Sequence, residues 1–288
     1  LIAKEQAERA AAQSEPEILQ SDLSGLLMEL LQWGCGDPAQ MSWLDQPPTV
    51  NLLAAKRLLQ MLGALDGERL SAQGQKMAAL GNDPRLAAML VSAKSDDEAA
   101  TAAKIAAILE EPPRMGNSDL GVAFSRNQPA WQQRSQQLLK RLNVRGGEAD
   151  SSLIAPLLAG AYADRIARRR GQDGRYQLAN GMGAMLDADD ALSRHEWLIA
   201  PLLLQGSASP DARILLALPV DIDELVQRCP QLVQQSDTVE WDDAQGTLKA
   251  WRRLQIGQLT VKVQPLAKPS EDELHQAMLN GIRDKGLS

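Results

Sequence analysis

At 288 residues, with 44% hydrophobic and 23% charged side chains, the chain has room for about two or three domains that each bury a core. A net charge of −7 argues against a uniformly basic nucleic-acid binder, because neutralising phosphates takes positive surface. Two cysteines (Cys35, Cys229) and two histidines (His195, His275) form no zinc spacing, no apolar run nears the roughly 20 residues that cross a bilayer, and no signal-peptide pattern is present, so a metal-free, cytoplasmic protein with no membrane partner is expected.

Residues 1–14 are rich in Ala, Glu and Gln and read as a helical lead-in. Pro16-Glu17-Ile18 then opens an amphipathic helix, since Leu19, Leu23, Leu26, Leu27, Leu30 and Leu31 recur at a 3.6-residue period, and Trp33-Gly34 stops it. After the break at Pro47-Pro48, Leu52, Ala55, Leu59 and Leu62 mark a second apolar face. Leu62 to Gly67 turns into a short hairpin, and Ser71 caps a third helix through its hydroxyl. Helix, helix, hairpin and helix is the winged-helix order, assigned to residues 15–82. A helix that reads duplex DNA needs a basic face, and Asn51 to Leu62 offers only Lys56 and Arg57.

Residues 83–160 remain helical in pattern and are expected to form a bundle. Asp83 and Asp96 are the expected caps, with Leu86, Met89, Leu90, Ile105, Ala106 and Leu109 turned inward. Glu111-Pro112-Pro113-Arg114 breaks the pattern, and a loop through Gly116 leads to a helix begun at Pro129, with Leu138, Leu139 and Leu142 inward. Ser152 caps a further helix carrying Ile154, Leu157 and Leu158. Asp96-Asp97-Glu98 looks superficially like an acidic nucleotide motif, but it follows Ser92-Ala93-Lys94-Ser95 instead of a buried strand and reads as acids favouring a helix N-terminus.

Near Tyr162 the period falls from 3.6 toward 2. Strand candidates are Tyr176 to Leu178, Ala184 to Leu186, Trp197 to Leu204, Ala212 to Leu218, Val239 to Trp241, Leu248 to Leu254 and Leu259 to Val263, with a compact helix from Asp221 to Arg228 among them. Short strands with an inserted helix suit an OB-like small β-barrel over residues 161–267, with a sandwich as the alternative. In residues 268–288, Ser270 and Glu273 form a capping box, and Leu274, Met278 and Ile282 share one face of a last helix. The expected fold class is multidomain α+β.

Positive charge is concentrated. Residues 161–180 carry +3 and residues 248–264 carry +4, which favours an oriented anionic partner. Arg165, Arg168, Arg169 and Arg170 offer forked donors suited to phosphate oxygens, against a solvated face or pairing with Asp164 and Asp173. Period-2 geometry puts Lys249, Trp251 and Arg253 on one strand face, where an indole between two cations could stack a base; Lys262 belongs to the same basic segment. The opposing reading places Trp251 in the core. Aromatic residues are 3% of the chain, which excludes a stacking sheet of the RNA-recognition-motif kind.

Several of these segments also look like a family. Pro16-Glu17-Ile18-Leu19, Leu30-Leu31-Gln32-Trp33-Gly34, Asp45-Gln46-Pro47-Pro48, Leu62-Gly63-Ala64-Leu65, Leu70-Ser71-Ala72-Gln73-Gly74 and Asp83-Pro84-Arg85-Leu86 resemble the helicase-associated region of DEAH-box ATP-dependent helicases, in a bacterial form. The likeness continues through Tyr162 to Arg170 and Arg213 to Ala217; Met41 and Trp43 stand where eukaryotic relatives often carry phenylalanines, a change of packing volume. The resemblance implies motor domains of the same chain before Leu1, a ratchet-like bundle, and a helix toward a further domain after residue 267. It implies ATP and Mg2+ for the motor domains and single-stranded RNA, or alternatively DNA, as partner. No Gly-rich phosphate loop ending in Lys-Ser/Thr is found here, so this stretch has no ATPase machinery of its own and no cofactor. Two other functions compete: a stand-alone winged-helix DNA-binding regulator, and a protein-interaction scaffold with no nucleic-acid affinity.

Overall fold

The structure, a computed structural model, describes residues 22–35, 38, 41–81, 83–113, 118–205, 209–242 and 247–266. The expected lead-in at 1–14 and last helix at 268–288 lie outside the described residues. Two compact units divide between Ala93 and Lys94.

In the first unit the elements over Ser24–Leu80 run helix, helix, hairpin, helix: α1 (Ser24–Gln32), α2 (Thr49–Met61), β1 (Leu65–Asp66), β2 (Arg69–Leu70) and α3 (Ala72–Leu80). Leu23, Leu27 and Leu30 on α1 and its lead-in are buried, as are Ala55, Leu59 and Leu62 along α2, so the described parts of both anticipated apolar stripes face inward, while Pro16 to Leu19, where the first was expected to begin, lie outside the described residues. The Ser71 hydroxyl accepts from Gly74 N at 2.9 Å and donates to Gly63 O at 2.6 Å, tying α3 to the turn before the hairpin. A Cβ on Gly74 would lie 2.0 Å from Ala64 O, so only glycine lets helix and hairpin backbone approach this closely. The next helix, α4 (Pro84–Val91), is capped by the Asp83 carboxylate, 2.9 Å from Arg85 N, and packs on α3. It therefore lies with the first unit and not with the bundle to which the sequence assigned it.

The second unit opens with α5 (Asp96–Glu110), α6 (Leu120–Ser125), α7 (Pro129–Arg141) and α8 (Ile154–Ala161). Ser95, not Asp96, caps α5: its hydroxyl accepts from Glu98 N at 3.1 Å while Glu98 Oε2 accepts from Lys94 N at 2.6 Å. Asp150, not Ser152, caps the single 3-10 turn that leads into α8. Buried Ala99, Ala102, Ala103, Ala106 and Ala107 give α5 a flat side on which α7 lies close. There the buried indole of Trp131 donates to Glu111 O at 2.9 Å, satisfying a carbonyl at the helix end, and Arg134 clasps Glu110 with contacts of 2.5 and 2.8 Å.

Five strands close a barrel in the order β3 (Ile166–Arg169), β4 (Arg175–Leu178), β5 (Gly183–Met185), β7 (Ala212–Pro219), β6 (Trp197–Leu204), with β6 returning to β3. Only β5 and β7 pair in parallel. This closed five-stranded barrel is consistent with an OB-like fold. Ala167, Tyr176, Leu178, Ala184, Leu198, Ala200, Ile214 and Ala217 fill it. Strand β3 was not anticipated.

The later strands are a correction to the expected barrel. After α9 (Ile222–Arg228), strands β8 (Gln234–Asp242), β9 (Thr247–Ile256) and β10 (Leu259–Pro265) form their own antiparallel sheet in the order β10-β9-β8. Its hairpin turn reaches the barrel: Gln258 N donates to Ala179 O at 2.8 Å, and Ile256 and Leu259 on either side are buried. Gly257, at φ +54°, passes so near that a Cβ would lie 2.3 Å from Ala179 O. Among the described residues no helix is long and apolar enough to cross a membrane.

Candidate nucleic-acid interface

Strand β3 carries Arg168 and Arg169, and Arg170 follows where the strand turns toward β4. The pairing of β3 with β4 and β6 leaves all three side chains at the barrel surface, where they line one hollow of about 540 Å3. Gln177 on β4, Glu196 before β6, and Gln258, Leu259 and Thr260 from the β9–β10 turn complete its wall. The separate sheet thus supplies part of the barrel's basic surface.

Each guanidinium here is held by a carboxylate. Arg168 approaches Glu196 Oε1 with Nε at 3.2 Å and Nη2 at 3.1 Å, donates from Nη1 to Thr260 O at 2.9 Å, and lies 5.2 Å from the ring centroid of Trp197. Arg169 donates to Asp173 Oδ1 at 2.8 Å. Arg170 and Arg175 share Asp211, whose side chain is only 13% exposed, at 3.2 and 3.0 Å. The guanidinium groups themselves stay a third to a half exposed, so these pairs are solvated and weak, worth roughly 0–1 kcal/mol each.

The other expected contact residues lie elsewhere. Arg165 sits in a 3-10 turn before β3, donates to Pro201 O at 2.6 Å and lies 5.6 Å from the Tyr162 ring, an anchoring position outside the hollow. Lys249, Trp251 and Arg253 alternate along one face of β9, and Trp251 is half-buried and not core. Lys262 pairs across from Leu254 and so belongs to the opposite face, with Arg252, because a bulge between Thr260 and Lys262 shifts the register. On that face Arg252 clasps Asp237 at 2.9 and 2.8 Å, and the hydrogen bonds hold the Asp237 carboxyl below its usual range. None of Arg165, Lys249, Trp251, Arg253 and Lys262 lines the hollow.

The acids at the start of α5 do not fit a magnesium–nucleotide site. Asp97 Oδ1 accepts from Glu148 N at 2.8 Å and Glu98 from Lys94 N, so both close the helix end and its covering loop.

Compared with known proteins, the chain is 98% identical over its whole length to the ATP-dependent RNA helicase HrpB of Escherichia coli (strain K12), of which it covers 36%. The likeness runs through the whole of the present sequence. A crystal structure of the E. coli DExH-box NTPase HrpB matches with a TM-score of 0.87 at 98% identity, over 100% of this chain and 36% of that one. The probable ATP-dependent RNA helicase DHR2 of Saccharomyces cerevisiae is 34% identical over 82 residues, 28% of this chain and 11% of that protein. The chain thus spans about a third of the length of the HrpB proteins it matches. Residues 232–266 match the family described as the connector region of the HrpB helicase, and these are the residues of β8, β9 and β10. It is this three-stranded sheet, similar to the HrpB connector region, that brings Gln258, Leu259 and Thr260 to the barrel.

Of the residues that line the hollow, the sequence singles out Arg168, Arg169 and Arg170 and not Gln177, Glu196 or the β9–β10 turn. The available signal was Ile256-Gly257-Gln258-Leu259, a two-residue hairpin turn flanked by apolar residues.

Proposed function

We propose that the chain is the accessory region of an ATP-dependent RNA helicase, which contacts single-stranded RNA and supports its translocation by motor domains elsewhere in the same polypeptide. On this reading the first unit is a winged helix serving as an interface, the helices after Lys94 act as a ratchet-like bundle, and the OB-like barrel offers Arg168, Arg169 and Arg170 to the strand. ATP and Mg2+ would act at the motor domains. One observation carries the reading: three consecutive guanidinium groups open onto a single hollow at the barrel surface of an HrpB-like chain. Because Glu196 and Asp173, the partners of Arg168 and Arg169, are about half exposed and weakly bound, phosphate oxygens can take their place at little cost, while Arg170 stays nearer the more buried Asp211. Such contacts hold backbone and sugar and carry little sequence preference.

Labelled single strands and duplexes titrated with the chain at two salt concentrations test this. Single strands should bind weakly with strong salt dependence, and Arg168→Ala/Arg169→Ala/Arg170→Ala should weaken binding evenly across sequences, reducing the salt slope by about 0.7 for each phosphate no longer neutralised. Unchanged affinity in the triple variant would remove the hollow from the proposal. Tight, sequence-selective duplex binding would point instead to a DNA-binding regulator, although Lys56 on α2 is already held by Glu68 at 2.6 Å.

A further inference from the structure

The barrel hollow holds two side chains that its ion pairs leave unused. Gln177 lies on β4 between the buried Tyr176 and Leu178, so it faces outward, directly across from Arg168. Gln258 is exposed at the tip of the β9–β10 turn. Both line the hollow together with the three arginines. Neither carboxamide makes a hydrogen bond among the described residues, whereas each guanidinium beside them has a carboxylate. Gln258 is nonetheless held in place. Its backbone N–H donates to Ala179 O, Ile256 and Leu259 beside it are buried, and Thr260 O accepts from Arg168. Its carboxamide lies against Gly181 in the turn after β4, where a Cβ would come 2.7 Å from Gln258 Nε2. A two-residue hairpin turn with positive φ only at its first position calls for Gly257 and leaves the next residue unrestricted, so turn formation does not account for a carboxamide laid beside the arginines.

We infer that Gln258, with Gln177, reads the ribose 2′-hydroxyl of a strand whose phosphates lie on Arg168, Arg169 and Arg170, so that the turn of the three-stranded sheet sets a preference for RNA over DNA. A carboxamide both donates and accepts, as a 2′-hydroxyl does, whereas a guanidinium only donates and holds the phosphates of either nucleic acid alike. No aromatic ring lines the hollow to hold a base flat for edge reading, so the sugar, which adjoins every phosphate, is the group these carboxamides meet. This role presupposes the strand contact proposed above, and titration with ribose and deoxyribose strands tells the two apart.

Anisotropy of labelled oligouridine, and of oligodeoxyuridine of the same length, is titrated with the whole chain at about 50 and about 200 mM salt. The two strands differ only in the 2′-hydroxyl. The wild type should favour the ribose strand roughly tenfold, Gln258→Ala should lower that preference about fivefold, and Gln177→Ala/Gln258→Ala should abolish it. Affinity for the deoxyribose strand and the slope of log K against log salt should stay at wild-type values in both variants, because no phosphate contact is lost. Gln258 is exposed, so thermal unfolding of Gln258→Ala should stay at the wild-type temperature. A wild type that binds both strands equally, or a ribose preference that Gln177→Ala/Gln258→Ala leaves unaltered, would overturn the sugar-reading role alone, provided that Arg168→Ala/Arg169→Ala/Arg170→Ala still weakens binding. Binding that the arginine variant leaves unchanged, or a wild type that binds neither strand, would overturn this role and the strand contact at the hollow together.

Discussion

Tyr176 shows how tightly the barrel is specified at the level of one side chain. It is fully buried, and its hydroxyl lies 2.8 Å from Leu192 O and 2.9 Å from His195 O, so a single proton is shared between two carbonyls. Burial pushes its pKa up to about 12. An unfolded tyrosine loses its proton near pH 10, so above that value the unfolded chain binds fewer protons than the folded one, and stability falls as pH rises. The loss is complete once pH passes the folded value; two units correspond to about 2.7 kcal/mol. Chemical unfolding followed at several pH values from about 9 to about 12 should show this decline, and Tyr176→Phe should flatten it while costing about 1 kcal/mol at neutral pH. An equally steep decline in Tyr176→Phe would place the alkaline sensitivity elsewhere. The same close fit explains why the candidate site was only half legible. Arg168 to Arg170 stand out as a run of like charge, but Glu196 and Asp211, which neutralise Arg168 and Arg170, lie 28 and 41 residues further along the chain, beyond the reach of local charge counting.

At the scale of elements, the packing of α7 on α5 depends on one large side chain against a flat alanine surface. Trp131 is 2% exposed and also satisfies the Glu111 carbonyl, so Trp131→Ala both opens a cavity and orphans an acceptor. A loss of about 3–5 kcal/mol is expected, seen in urea as a lower midpoint with an unchanged slope; a shift near zero would mean that α5 and α7 are held by something other than this contact. Elements with a full apolar stripe, such as α2 and α5, were legible because three or more turns repeat the period. The six residues of α6 are too few to show one, and β3 was hidden because the charged run Arg168 to Arg170 interrupts its alternation after Ile166 and Ala167. Strands β8, β9 and β10 were legible as strands, but period 2 says nothing of which strand pairs with which. That is why the sequence pattern alone groups β8, β9 and β10 with the barrel, although they form a sheet of their own.

For the molecule as a whole, net charge is a poor guide to partners. At physiological salt, fields fade over about 8 Å, so an RNA strand senses local clusters and not the −7 of the chain. The barrel arginines offer such a cluster, but each guanidinium already faces a carboxylate, so binding exchanges one anion for another and the gain per contact is small. Removing the competing carboxylates should therefore strengthen binding: Asp173→Asn/Glu196→Gln releases Arg168 and Arg169 to phosphate, and a labelled oligouridine should bind this variant several-fold more tightly than the wild type at low salt, with the difference shrinking as salt rises. Equal affinity of the variant and the wild type would mean that these carboxylates do not compete with phosphate and that the strand does not lie in the hollow.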